Sequence, residues 1–381
     1  MHKSDRAGVL ARQGAGYSAF IPKSLPPDPP LALGGKIADL EASARHELGK
    51  LDGALLTLPD ADLFVEMYIR KEVVFSSQIE GTQSSLADLL EAEAEIFNPT
   101  RPRDIKEVMN YHKALGHGFD EIRTAGLSVD LIEDLHVDLL AGLRGGRRRT
   151  GTIRTEQTWI GPRGSSIFEA MFVPPPPHEI AHLLDDLVLF LRRKGALPEL
   201  IQIGIGHSQF ETIHPFVDGN GRIGRLLIVL LLCEHGLLSK PALYISYYLK
   251  RRRAEYYRCL QSVRDNGDWE GWLVFFLDTL ASAATGATDA VSRIAALRER
   301  DRRRIAETFG RTTANGLRVL DALYVHPIIS VKRIAEITGV SFQAANQLTT
   351  RFVEQGILAE ITGWGRNRRF SYTAYVSIFS D

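Results

Sequence analysis

Residues 214–225 read His-Pro-Phe-Val-Asp-Gly-Asn-Gly-Arg-Ile-Gly-Arg and run straight into Leu226–Cys233, a stretch with no polar side chain. A helix that is apolar nearly all round is surrounded by protein. Ile223–Glu234 is therefore expected at the centre of a domain, stopped by Gly236. It is far too short to span a bilayer. The polar segment before it is then held at the start of a buried helix. There, Gly219-Asn220-Gly221 presents free backbone N–H groups at the positive end of the helix dipole, a natural anion site. Glycine lets a phosphate come close to the backbone. Arg222 and Arg225 lie three apart, share a face and can hold further phosphate oxygens. Asp218 is a hard oxygen ligand, suited to a magnesium ion shared with phosphates. His214, on the loop leading in, is the best-placed general base for a hydroxyl near neutral pH.

The remaining composition removes alternatives. The chain has 381 residues, 44% hydrophobic and 24% charged, which is ordinary for a globular protein of about two or three domains. Formal net charge is zero. No global positive field recruits nucleic acid or membrane, so any nucleic-acid site has to be a local patch. Two cysteines, Cys233 and Cys259, support neither a disulfide framework nor a structural zinc site. The N-terminus lacks the apolar core of a signal peptide. These features fit a cytoplasmic protein.

The helical period dominates most of the chain. Residues 1–34, with Pro26, Pro27, Pro29 and Pro30, read as an extended arm. Residues 35–142 form a helical region in which Leu63–Glu80 is one strong helix with Gly81 as its stop. Ser84 or Ser85 can cap the next helix, which ends before Asn98-Pro99. Another covers roughly Pro102–His117, and Ser128 starts one more. A basic loop at Gly145–Thr152 leads into 152–173, where β-formers flank Gly161-Pro162-Arg163-Gly164 and read as a β-hairpin. Helices resume at about His178–Arg193 and at Pro198–Thr212, with Pro198 suited to the first helical position. Further helices run to about Glu307. From about 310 the grammar changes. Helices at Gly316–Val325, Ser330–Thr338 and Phe342–Gln355 precede strands at Ile357–Ile361 and Phe370–Tyr375. That is a helix-turn-helix with a hairpin wing.

Residues 214–225 resemble the signature of the Fic family, His-x-Phe-x-(Asp/Glu)-Gly-Asn-Gly-Arg-x-x-Arg, at every defined position, and the resemblance extends from about Phe20 to Ser282. It implies a mainly α fold, a Fic helical core with a small β-hairpin flap, here joined to a C-terminal winged helix-turn-helix domain. The core would span 143–309 and the winged helix 310–381. The implied activity is transfer of AMP from ATP to a Tyr, Thr or Ser hydroxyl of a target protein. His214 would deprotonate that hydroxyl and Asp218 would hold Mg2+. Gly219, Asn220, Gly221 and Arg222 would cradle the α- and β-phosphates, and Arg225 the γ-phosphate. Phe216 would anchor the loop. Kinase-type relatives carry Lys where this chain has Gly221. UMP and phosphocholine transfer remain open.

Ser76-Ser77-Gln78-Ile79-Glu80-Gly81 resembles the family's inhibitory motif (Ser/Thr)-x-x-x-Glu-(Gly/Asn). A carboxylate at a helix C-terminus opposes the helix dipole, so something should offset the placement of Glu80. The resemblance supplies Arg225, which would then be withheld from the γ-phosphate. The inhibitory helix would be about 63–81. In some relatives the same Glu supports removal of AMP. The hairpin would be the flap that receives the target segment, with Thr158, Trp159, Ile160 and Gly161 as its edge. Tyr248 and Tyr256 would wall an adenine slot.

The C-terminal segment carries Arg366, Arg368 and Arg369 in its wing, and Gln343, Asn346, Gln347 and Arg351 on its recognition helix. They could meet phosphates and base edges of DNA. A DNA-binding regulator with a nucleotide-sensing core is thus the alternative function. The alternative role for this segment is protein contact. Nothing in the sequence points to a membrane, and monomer and homodimer both remain open.

Overall fold

The computed structural model describes residues 4–58, 60–143, 150–162, 164–195 and 197–380. Most of the basic loop at Gly145–Thr152, and Arg163 of the expected hairpin turn, lie outside the described residues.

The chain opens with β1 (Gly8–Arg12) and β2 (Ser18–Pro22), followed by α1 (Lys36–Leu56), α2 (Ala61–Ile79), α3 (Leu86–Glu93), α4 (Ile105–Thr124) and α5 (Val129–Leu140). The central part holds α6 (Pro177–Arg192), α7 (Glu199–Ile213), α8 (Asn220–Glu234), α9 (Ile245–Arg251), α10 (Arg253–Asn266) and α11 (Trp269–Thr308). The last part holds α12 (Thr313–Val325), β3 (Ile328–Ser330), α13 (Val331–Thr338), α14 (Phe342–Glu354), β4 (Ala359–Glu360), β5 (Arg369–Ser371) and α15 (Thr373–Phe379). The fold is mainly α, as expected.

Local chemistry sets many of the boundaries. Ser85 forms a capping box with Asp88 at the start of α3. Ser128 accepts from Leu131 N–H to start α5, and Ser330 and Ser341 cap α13 and α14 in the same way. Pro198 sits one residue earlier than expected, at the N-cap of α7. The periodic apolar faces then assemble into one core, with α8 buried on all sides from Ile223 to Leu232. Around it, α7 and α4 pack on α8, α5 packs on α4, and α2 runs between α4, α9 and α12. The long α11 lies along α1 and reaches into the last part of the chain. Among the described residues no helix is long and apolar enough to cross a membrane.

Three sequence expectations need correction. The N-terminal arm is not simply extended: β1 and β2 pair antiparallel, with Gly8 opposite Pro22 and Arg12 opposite Ser18. Small residues on both strands hide the alternation that would mark them. Phe20 is buried, and its N–H donates to Val173 O at 2.9 Å, so β2 is tied to the segment that follows the expected flap.

Among the described residues, 152–173 form no two-stranded hairpin and close on one bridge, Ile160 to Phe172. Ser166 and Glu169 cap each other around a short 3-10 turn at Ile167–Glu169. That turn takes the chain out of the ladder direction. At the C-terminus, Phe370–Tyr375 is only partly strand. Helix α15 begins at Thr373, because Tyr375 and Phe379, four apart, share a buried face. Helices α12, α13 and α14 and the β4/β5 pair fall in the expected order, with both strands shorter than expected; β3, and with it the sheet order β3-β5-β4, is not expected from the sequence.

That last part is fastened to the rest through aromatic contacts. The Tyr324 ring on α12 lies 4.6 Å from Phe64 on α2, and Phe379 meets Tyr68 edge-on at 5.1 Å. Tyr372 OH donates to the buried Asp301 on α11 at 2.6 Å.

Candidate active site

The motif loop lies between α7 and α8. His214 caps α7 in a left-handed conformation, φ 51° and ψ 61°, and so turns the chain out of the helix. The loop is closed by Asn220. Its side chain accepts from Phe216 N–H and donates to Phe216 O, each at 2.8 Å. Asn220 is buried, and its carboxamide is committed to the loop. Only its backbone can face a phosphate, a narrower role than the sequence suggested. Phe216 is buried with its ring stacked on His136, centroids 3.8 Å apart, so it does anchor the loop in the core. Gly219 takes φ 81° immediately before α8. The first-turn N–H groups of Asn220, Gly221 and Arg222 have no acceptor within the helix.

The surroundings of His214 favour the neutral imidazole. Burial, with Arg264 and Arg154 nearby, pushes its pKa down to about 3, against smaller opposing effects of the Glu211 carbonyl and Asp218. Arg154 Nε donates to His214 O at 2.9 Å, and Arg154 N–H donates to Pro215 O at 2.9 Å. Arg264 donates to Glu211 O at 3.0 Å and to Thr212 Oγ1 at 3.1 Å. Both cations are buried, and both hold the turn that carries the imidazole.

Asp218 projects outward, its side chain 74% exposed. Its Oδ1 accepts from Gly219 N–H at 2.7 Å and lies 3.5 Å from Arg222 Nη2. Arg222 is buried and pairs mainly with Glu107 of α4 at 2.9 Å. Arg225 is 1% exposed and turns to α2. Its Nη2 lies 2.7 Å from Glu80 Oε1 and 3.0 Å from Ser76 O, and its Nε donates to Ser76 Oγ at 2.9 Å. The two arginines therefore diverge, each held by a carboxylate of a different helix. Burial alone would weaken the Arg225 charge, but Glu80, with Tyr256 and Glu211, holds its pKa above the usual value.

Gly221 makes the Glu80 contact sterically feasible. A Cβ there would collide with Glu80 Oε1 and stand 2.9 Å from Arg225 Nη1. Glu80 itself is the C-cap of α2, and Gly81 follows with φ 104°. A carboxylate thus rests over the N-terminus of α8, where an anion is favoured.

The flap candidates line one loop. Trp159 is 42% exposed and donates through Nε1 to Ser165 O at 3.0 Å. Among the described residues, Ile160 makes the one bridge, Gly161 packs close to Ser165, the Thr158 hydroxyl is buried without a partner, and no continuous strand edge is formed. One tyrosine is corrected as well. Tyr256 is buried, with its hydroxyl on His207 Nε2 at 2.8 Å. Tyr248 stacks on Tyr244 and abuts Gly286 of α11. Tyr256 is thus turned into the core and not toward an open slot. Tyr257, one residue on from Tyr256, is 40% exposed and within electrostatic reach of Glu80 and Arg225. A 100° rotation per helical residue separates the inward ring from the outward one.

In the last part of the chain, Lys332, Phe342, Asn346, Arg366, Arg368 and Arg369 border a groove. Several of its polar groups are already engaged. Arg351 donates to Phe309 O at 2.8 Å, Arg368 to Asn346 Oδ1 at 2.9 Å, and Arg369 to Ala94 O at 2.9 Å. Arg351 therefore braces α14 against α11 and is not free to read a base edge. Gln343 and Gln347 are exposed.

Sequence reasoning missed Glu107, His136, Arg154, Glu211 and Arg264. Glu211 and Arg264 are polar residues on otherwise inward faces, the one signal available. Glu211 is buried with Oε1 unpaired. Burial raises its pKa to about 7, while Arg225 pulls the other way.

Comparison with known proteins bears on the same region. Residues 38–120 match the Fic/DOC family N-terminal model, and residues 126–232 match the Fic/DOC family model. The chain is 45% identical over 73 residues to a probable protein adenylyltransferase of Aquifex aeolicus, covering 19% of this chain and 23% of that one. It is 31% identical over 144 residues to a protein adenylyltransferase of Caenorhabditis elegans, 37% of this chain and 25% of that one. The matches thus span about a quarter of these relatives' length. In fold, the chain is similar to a Fic family protein from Desulfovibrio desulfuricans G20 (TM-score 0.57, 20% identity, 90% of this chain and 97% of that chain). It is also similar to residues 134–508 of Fic-1 from C. elegans (TM-score 0.53, 22% identity, 69% of this chain and 74% of that chain). On the strength of the two family models, the chain belongs to the Fic/DOC family.

Proposed function

We propose that this chain is a protein adenylyltransferase that moves AMP from ATP to a hydroxyl of a target protein and of itself, and that Glu80 restrains it. The observation that carries this reading is the His214 turn leading into a helix N-terminus whose two arginines, Arg222 and Arg225, are buried on either side. His214 takes the proton of a Tyr, Thr or Ser hydroxyl, and the oxygen attacks the α-phosphorus. The bond from that phosphorus to the bridging oxygen breaks, and pyrophosphate leaves. Positioning and fixed donors lower the barrier. The α8 N-terminus and Arg222 receive the inner phosphates, and Arg225 the γ-phosphate.

The residues present fit a magnesium ion. Asp218 offers an exposed hard oxygen beside the anion site, and Mg2+ is commonly held by one or two carboxylates together with phosphates and water. When bound, the ion would neutralise phosphate charge. The loop bearing Trp159 and Ile160 lies beside Arg154, which holds His214, and is the candidate approach for the target segment.

Restraint follows from one guanidinium having two claimants. While Arg225 is paired with Glu80 it is unavailable to a γ-phosphate. The Glu80 carboxylate also occupies the α8 N-terminus and repels an incoming anion. The same carboxylate, free of Arg225, could orient water for AMP removal.

Incubation with α-labelled and γ-labelled ATP tests the reading. Glu80→Gly should raise self-labelling from the α-label at least tenfold and leave the γ-label unincorporated. Adding His214→Ala should then lower labelling by about 10²–10⁴-fold. Labelling that survives the loss of His214 rejects the mechanism, and labelling from the γ-position rejects AMP transfer. Mass spectrometry of the product distinguishes AMP from other groups.

A further inference from the structure

We propose that His136 is a positioning residue that locks the Asp218–Gly219 peptide, and with it the Asp218 carboxylate, through a single imidazole tautomer. It has no part in the motif and lies on α5, 82 residues before the carbonyl it meets.

The tautomer follows from its two neighbours. Gly151 N–H points at Nδ1 at 3.0 Å, and a backbone N–H can only donate. Nδ1 must therefore be unprotonated. In a neutral ring the proton is then on Nε2, which lies 3.1 Å from Asp218 O, a group that can only accept. Each contact requires the other. The ring face is fixed independently by Phe216, with an interplanar angle of 8°.

The lock acts beside a glycine. Gly219, at φ 81°, carries no Cβ, so no side chain there opposes rotation of the Asp218–Gly219 peptide about its flanking bonds. Its two ends are both used. The carbonyl accepts from His136, and the N–H donates to Asp218 Oδ1 at 2.7 Å. Turning this peptide over would break both bonds, release the carboxylate and aim a carbonyl at the anion site. Three more loop carbonyls are similarly occupied: His214 O and Pro215 O by Arg154, and Phe216 O by Asn220. These acceptors are turned to the scaffold. His136 supplies the bond at the point where glycine offers no side chain to hold the backbone. Its other nitrogen ties that point to Gly151, three residues before Arg154.

Two measurements decide this, and only the second rests on the adenylyl-transfer reading. Long-range 1H–15N correlation on histidine-labelled, unsubstituted protein should give the Nε2–H pattern for His136, identified by its loss in His136→Gln. An Nδ1–H pattern overturns the proposal. In a Glu80→Gly parent, His136→Phe keeps the stacked ring and loses both hydrogen bonds, whereas His136→Gln keeps an amide donor. Labelling should fall about 10–100-fold for Phe, as for loss of other outer supporting groups, and by less for Gln. A Phe variant equal to or better than Gln means the residue only fills space, and overturns the proposal. A parent that fails to label would reject adenylyl transfer while the tautomer remains decided by the spectrum. If the Phe variant fails to fold, the spectrum of the unsubstituted chain, assigned with the Gln variant, still decides.

Discussion

At the scale of single residues, the site depends on which groups are denied water. His214 keeps a neutral ring because burial and two nearby guanidinium groups disfavour the cation, so its proton-accepting form is present throughout the physiological range. Its C2–H resonance is expected to hold its neutral-ring position from pH 8 down to about 5. A titration centred near pH 6.5 would contradict the packing described. Ser76 offers a second test. Its hydroxyl accepts from Arg225 Nε in a buried setting. Ser76→Ala should cost about 1–3 kcal/mol in denaturant unfolding, because it leaves a guanidinium N–H without a partner. It should also raise basal labelling by loosening Arg225. His214 and both arginines are legible in the sequence because a twelve-residue segment fixes their spacing. Arg154 and His136 are not, since they reach the loop from 60 and 82 positions away.

At the scale of elements, α2 is held at both ends. Its last turn carries Glu80 to Arg225, and its first half is wedged by Tyr324 and Phe379. A helix is stiff over this length, so loosening one end should be felt at the other. Phe64 is fully buried against Tyr324. Phe64→Ala should destabilise the chain by about 3–5 kcal/mol. Self-labelling above wild type in the folded fraction is expected. Unchanged labelling with the expected loss of stability would uncouple the two ends. The extent of α2 is nearly what its periodicity predicts, because caps and apolar spacing are local signals. The flap region is not, because a bridge and a mutual Ser166–Glu169 cap replaced the ladder that β-formers alone suggest.

At the scale of the whole molecule, buried ionisable groups pull stability in opposite directions with pH. His207 and His214 have folded pKa values of about 3 against an ordinary 6.5. Below pH 6.5 the unfolded chain gains protons that the folded one refuses, so these two groups cost stability as pH falls. Glu72 and Glu211 have folded values of about 7 against 4.5. They contribute stability that is fully present below pH 4.5 and lost as pH rises through 7. Glu211→Gln should therefore steepen the acid loss. From pH 7 to pH 5 the variant should lose roughly 2 kcal/mol more than wild type. Thermal or denaturant unfolding at the two pH values checks this, and an equal loss in both proteins would place Glu211 in a solvated setting.

The sequence by itself determined what short-range rules control: a mainly helical chain, the capped starts of α3 and α5, and a glycine-lined helix start flanked by His214, Asp218, Arg222 and Arg225. Each follows from residues within a turn or two of one another. Tertiary structure alone decided the partners: Glu107 for Arg222, Arg154 beneath His214, His136 beneath Asp218, and the inward turn of Tyr256. Those choices depend on which faces of distant helices meet around α8. Burial then decides which charges must be paired and which rings stay neutral, and no local pattern in the chain encodes that.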